Sequence, residues 1–131
     1  MSRFRLPADH LEYAVLAVLW ELRAASIREL HERLHAPAGH VYTTTAKVVD
    51  RLREKRLIAR HRKGGSFIYS PAVERGEVER ARARHLVSRF LGPGPHAAVA
   101  ALVEAVDAID PKLLEELERA IRSKRNSGHG A

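Results

Sequence analysis

The sequence predicts a mostly α-helical protein with one small β-hairpin, and three observations carry that prediction. Apolar residues recur at helical spacing over residues 11–22, 27–34 and 45–52. The period then shortens across two runs of strand-forming residues joined by Lys63-Gly64-Gly65. Past Pro71 the helical spacing returns and continues to about residue 122.

Each element has its own local cause. Residues 1–8 read as a short, basic, loosely held arm. Asp9 can cap a helix whose apolar positions (Leu11, Val15, Leu16, Val18, Leu19 and Leu22) cover nearly one whole side, as expected of the most buried helix in a small bundle. Trp20 reads as a core or interface anchor. Ser26 with Glu29 forms a capping box for a second helix, with Ile27, Leu30 and Leu34 on its inner stripe, and Pro37-Ala38-Gly39 ends it in a turn.

The third helix, residues 42–56, is the one around which the others are arranged. At 100° per residue Thr45, Val48, Val49 and Leu52 gather on one side, and Thr43, Lys47, Asp50 and Glu54 on the other. Its outer face begins with small hydroxyl side chains and a lysine, residues able to approach a DNA groove. An ordinary surface helix would show the same pattern, so its neighbours decide the reading. Leu57-Ile58-Ala59-Arg60-His61-Arg62 and Ser66-Phe67-Ile68-Tyr69-Ser70 are the hairpin strands, and glycine supplies positive φ in the turn between them. A helix-turn-helix followed by a basic hairpin is the order of a winged helix-turn-helix DNA-binding domain, here residues 1–72.

Residues 74–91 form a long amphipathic helix closed by Gly92-Pro93-Gly94-Pro95. Residues 97–106 form a nearly uncharged one, and Asp110-Pro111 starts a third carrying Leu113, Leu114, Leu117 and Ile121. So much apolar surface has little to bury against in one small protomer, so residues 73–124 are predicted to be a helical dimerisation arm. Leu86, Phe90, Leu102, Val106, Leu114, Leu117 and Ile121 are its homodimer contacts. Residues 125–131 are expected to be a disordered tail.

Charge narrows the partner. The 131 residues carry a net charge of +7, with 13 Lys/Arg against 7 Asp/Glu in residues 1–64 and 10 against 9 in residues 65–131. Residues 47–63 hold eight basic side chains and two acids, a density that suits a polyanion, although a solvated surface could also carry it. The absence of cysteine excludes disulfides, thiolate metal sites and cysteine nucleophiles. No apolar run reaches the roughly 20 residues of a membrane span, and Asp9 and Glu12 stand where a signal peptide would be basic, so the expected location is the cytoplasm. No phosphate-binding glycine loop, nucleophile elbow or paired catalytic carboxylates stand out. No enzyme, catalytic residue or cofactor is expected.

The runs Leu11-Glu12-Tyr13-Ala14-Val15-Leu16-Ala17-Val18-Leu19-Trp20 and Ser26-Ile27-Arg28-Glu29-Leu30, Tyr42-Thr43-Thr44 with Val49-Asp50-Arg51-Leu52, and Lys55-Arg56-Leu57-Ile58 together resemble one family. It is the penicillinase-repressor and methicillin-repressor family, which includes copper-responsive repressors, and the resemblance spans residues from about 9 to 122. It implies a dimeric winged-helix repressor acting on palindromic double-stranded DNA operators of β-lactam-resistance or metal-handling genes. By the same resemblance Thr43, Thr44 and Lys47 match the positions that touch DNA, with Lys47 standing where threonine is common, so an operator sequence does not transfer. Arg51 matches a family position too, and a pair with Asp50 or a nearby acid is as good a reading of it as a phosphate contact. Arg60, Arg62 and Lys63 are wing cations suited to phosphates, which fix register without reading bases. Arg3 and Arg5 are candidates for minor contacts.

The resemblance also implies a membrane sensor protease that leads to cleavage of an Asn-Phe bond in the arm. The corresponding place falls near Leu102-Val103, and no Asn-Phe is present, so release by another cleavage, a ligand or a partner stays open. The cysteine ligands of the copper-sensing branch are also absent, which excludes direct thiolate copper sensing. His31 and His35 have the spacing of a metal pair but no third ligand, so no metal is expected. His40 stands where it could meet a phosphate, and His85 could titrate at an interface. The contrasting reading of the whole chain is a winged helix that coats DNA without sequence preference or binds another protein through the same basic face.

Overall fold

The computed structural model describes residues 3–38 and 41–129, and the chain forms two compact units, residues 1–83 and 84–131. The element order is α1 (His10–Leu22), α2 (Ile27–Ala38), α3 (Tyr42–Glu54), β1 (Ile58–Lys63), β2 (Ser66–Pro71), α4 (Arg75–Leu91), α5 (Pro95–Ile109) and α6 (Pro111–His129). The predicted fold class is observed: a mostly helical chain with one antiparallel hairpin in winged-helix order. Gly39 and His40 lie outside the described residues, as do residues 130–131.

The local signals act as expected. The Asp9 carboxylate accepts from the Glu12 N–H at 2.9 Å and starts α1. Ser26 and Glu29 close a reciprocal capping box at 3.0 and 3.1 Å, which starts α2. Lys63 pairs with Ser66 across Gly64 and Gly65, whose φ values of 59° and 82° make the two-residue primed turn that matches strand twist. Asp110 ends α5 with its N–H on the Val106 carbonyl, and its side chain accepts from the Lys112 N–H in the first turn of α6.

All fourteen buried apolar side chains among the described residues lie between Val15 and Val78. Leu16 and Leu19 from α1, Leu30 and Leu34 from α2, and Val48, Val49 and Leu52 from α3 meet Leu57, Ile58 and Tyr69 at the base of the hairpin. Ala25 pairs with Tyr69 through two backbone hydrogen bonds of 2.9 and 2.8 Å, which ties the α1–α2 connection to the wing. Val73 and Val78 complete this core, so the first turns of α4 pack with the N-terminal unit although the boundary read from sequence stands at 72. Trp20 is half-buried and donates to the Val73 carbonyl at 3.0 Å, an anchor within this unit.

Two expectations change. The N-terminal arm is held: Arg5 donates its N–H to the Lys55 carbonyl at 2.9 Å, and the Arg3 guanidinium meets Glu77 at 2.7 Å. The chain end is helical where a disordered tail is expected from residue 125, because α6 runs to His129. Strong helix formers with mixed charge, Glu115, Glu118, Arg119, Arg122, Lys124 and Arg125, carry the helix on, and no proline follows Pro111 to stop it.

An ionic cluster joins α1 to the start of α4. The Tyr13 hydroxyl donates to Glu79 at 2.7 Å, and Arg82 meets the same carboxylate at 2.9 and 3.2 Å while lying 4.0 Å over the Tyr13 ring. Partial burial pushes the Glu79 carboxyl up, but the Tyr13 hydrogen bond and the Arg82 and Arg75 charges outweigh it and hold the group below the ordinary carboxylate range. Its folded pKa is thus depressed, so its contribution is present at neutral pH and is lost as pH falls through the carboxylate range. Tyr13→Phe is expected to cost about 1 kcal/mol in urea melts at pH 7 and much less at pH 3. An equal cost at both pH values would show that the Glu79 charge is not what the hydroxyl serves.

Candidate nucleic-acid interface

The face that α3 turns outward is set by what it buries. Thr45, Val48, Val49 and Leu52 are buried as the helical period requires, which leaves Thr43, Lys47, Asp50 and Glu54 exposed and Thr44 half-buried at the edge. The exposed face is not uniform along the helix. Thr43, Thr44 and Lys47 occupy its first two turns, and the acids Asp50 and Glu54 follow. A surface built to face phosphates would therefore lead with the N-terminal end of α3, the end by which recognition helices reach base edges.

Side chains on α2 and α3 fix that end. His31 Nδ1 lies 2.9 Å from the buried Thr45 hydroxyl, and its ring meets Tyr42 edge-on with centroids 5.5 Å apart. His31 is thus a packing bridge between the two helices of the motif. Among the described residues no group of three or more His, Cys, Asp or Glu side chains could hold a metal, and no helix is long and apolar enough to cross a membrane. The side chain of His35 and all of His40 lie outside the described residues.

Arg51 is exposed, yet its guanidinium stands 3.8 Å from Glu12 of α1. Of the two readings open in the sequence, the geometry supplies the nearby acid, though that acid is not Asp50. Glu12 itself is only 1% exposed and also accepts from Lys55 Nζ and from the Ala8 N–H at 3.0 Å. One carboxylate therefore gathers the N-terminal arm, α1 and the C-terminal half of α3. Sequence reasoning missed it, although there was a signal: Glu12 stands three, four and seven residues before Val15, Leu16 and Leu19, at the head of the buried stripe.

The wing divides its cations between two faces. Opposed residues of an antiparallel pair share a face, so the pairs Arg60–Tyr69 and Arg62–Phe67 put both arginines on the side that continues into the core. Their guanidinium carbons lie 4.1 and 4.7 Å from the Phe67 ring centroid, which stiffens both side chains while leaving them exposed. His61 shares the opposite face with Ile68, and Lys63 stands at the tip beside the glycine turn. Arg3 and Arg5, candidates for minor contacts, are engaged elsewhere: Arg3 with Glu77, and Arg5 Nη2 with the Glu54 carbonyl at 3.4 Å, at the C-terminal end of α3.

The predicted arm contacts lie in the second unit. Leu86, Phe90, Leu102 and Ile121 are exposed and Val106, Leu114 and Leu117 half-buried. No described side chain from residue 84 to 128 is buried.

Residues 9–123 match the family described as penicillinase repressor. The chain is 30% identical over 121 residues to the transcriptional regulator BlaI of Mycobacterium tuberculosis, covering 92% of this chain and 86% of that protein. The solution structure of the DNA binding domain of the repressor BlaI superposes with a TM-score of 0.50 at 21% identity, over 56% of this chain and 92% of that one, a likeness of fold.

Proposed function

We propose, since the chain belongs to the penicillinase repressor family and so among transcriptional regulators rather than enzymes, that it is a homodimeric repressor binding palindromic operators in the cytoplasm. The observation that carries this reading is the outer face of α3, where Thr43, Thr44 and Lys47 lead and the buried stripe behind them fixes their direction. Thr43, Thr44 and Lys47 read base edges. Arg60, Arg62 and Lys63 bind phosphates, with Arg51, steadied by Glu12, as a further backbone contact. Dimerisation through the arm sets two recognition helices about one DNA turn apart, with half-sites separated by about 10 base pairs or a multiple. Release follows from whatever weakens the arm: a sensor protease, a ligand or a captured partner. Leu102-Val103 lies within α5, so cutting there needs that helix to open.

Selection of bound duplexes from a random or genomic pool, followed by titration of the winner at two salt concentrations, tests the reading. A palindrome preferred by about 10³-fold is expected. No enriched motif, with binding that simply collapses as salt rises, would sink it in favour of non-specific coating. Lys47→Ala is expected to weaken operator and random DNA unequally, whereas Lys63→Ala weakens both alike and lowers the salt slope by about one unit. Equal losses for the two variants would count against the division of roles.

A further inference from the structure

Val41 precedes the first turn of α3 as its N-cap, with φ −84° and ψ 161°, and its side chain makes no capping hydrogen bond. Ser, Thr, Asp or Asn at this place would bond a free N–H of the first turn, whereas valine offers nothing to it. Its carbonyl accepts from the Thr44 and Thr45 N–H groups at 3.0 and 3.4 Å, which any residue could do. Val41 is 65% exposed, the highest value for a large apolar residue among those described in the N-terminal unit. Its neighbour Tyr42 is also exposed but has His31 against its ring. Val41 thus breaks two local rules, at a cap and at a solvent-facing position, at the leading end of the helix that carries Thr43 and Lys47. Such departures from local preference concentrate at functional sites.

We propose that Val41 is a specificity-determining residue that packs against the C5-methyl group of a thymine in the major groove. The thymine methyl is the one apolar feature that base edges present there, and a short branched, exposed side chain at the leading end of the helix suits it. This rests on the operator-binding reading above and deepens it. The selected operator should carry a thymine at the same position of both half-sites. Replacing that thymine with deoxyuridine, which keeps every hydrogen-bonding group and removes only the methyl, isolates the contact.

With wild-type protein and the selected operator, deoxyuridine at the contacted position is expected to weaken binding about fourfold per half-site, the effect of about one buried methyl group. In Val41→Ala and Val41→Ser the penalty should disappear. Val41→Ser should also melt about 4 °C higher, because serine caps α3. Wild-type protein that selects an operator yet tolerates deoxyuridine at every thymine would overturn this inference and leave the repressor reading intact. A methyl penalty that persists in both variants would assign the contact to another residue. Wild-type protein that selects no sequence would remove both.

Discussion

Leu102→Arg is expected to convert the protein to a monomer and to weaken operator binding by about 10²-fold, without changing the melting of the N-terminal unit. Helix α5 is 15 residues long, with Glu104 and Asp107 its only carboxylates, and none of its side chains is buried within one chain. Leu102 is 37% exposed, and Val99 and Val103 beside it and Phe90 and Leu86 on α4 are exposed too. On the proposed homodimer reading, this apolar surface meets the same face on a second copy of the arm. An arginine at Leu102 would place a guanidinium with no partner where two apolar faces meet, a cost that association cannot recover. Losing the second DNA-binding head removes the effective concentration that bivalency supplies, which sets the scale of the affinity loss. Sedimentation of wild type and variant, with titration on full and half operators, checks this. Half-site affinity should be unchanged, because the buried apolar side chains among the described residues lie between Val15 and Val78, within the first unit. A wild-type monomer, or a Leu102→Arg dimer that holds the operator as before, would rule the arm out as the interface. Phe90→Arg, one helix away, should give the same phenotype and separates loss of pairing from local damage to α5.

What was legible in the sequence was what short-range periodicity encodes. Thr45, Val48, Val49 and Leu52 are buried and Thr43, Lys47, Asp50 and Glu54 exposed because both sets follow from one 100° rotation within thirteen residues. The caps at Asp9 and Ser26 and the glycine turn at residues 64–65 are likewise decided within a few positions. What depends on distant partners was not legible. Glu12 finds Lys55 across 43 residues, Arg3 finds Glu77 across 74, and Tyr13 finds Glu79 across 66. No pattern along one segment reports such pairings. Residues 74–91 read from sequence as one amphipathic helix whose apolar side belongs to the arm, yet Val73, just before it, and Val78 enter the core of the first unit. The division of wing cations between two faces was within reach, since a two-residue turn fixes the register that puts Arg60 opposite Tyr69.

Glu12→Ala is expected to destabilise the N-terminal unit by about 3 kcal/mol, the largest effect of any single polar substitution in it. The carboxylate is almost wholly buried, and three groups converge on it: Lys55 Nζ, the Ala8 N–H and, more loosely, the Arg51 guanidinium. Removing it leaves the mostly buried Lys55 ammonium without its counter-charge and the Ala8 N–H without its acceptor. Arg51, nearly half exposed, can return to water and adds little to the loss. Glu12→Gln keeps an acceptor for Ala8 and should fall between wild type and alanine in urea denaturation. Lys55→Met in the Glu12→Ala background should restore part of the stability, because the cost lies in the stranded charge more than in the missing attraction. Should Glu12→Ala cost less than about 1 kcal/mol, the cluster would be a passenger on apolar packing and α3 would be held by its buried stripe alone. If the loss has the expected size and Lys55→Met relieves it, then one buried carboxylate on α1 sets where the C-terminal half of α3 lies. The direction in which Thr43, Thr44 and Lys47 point then depends on a residue that itself faces away from solvent.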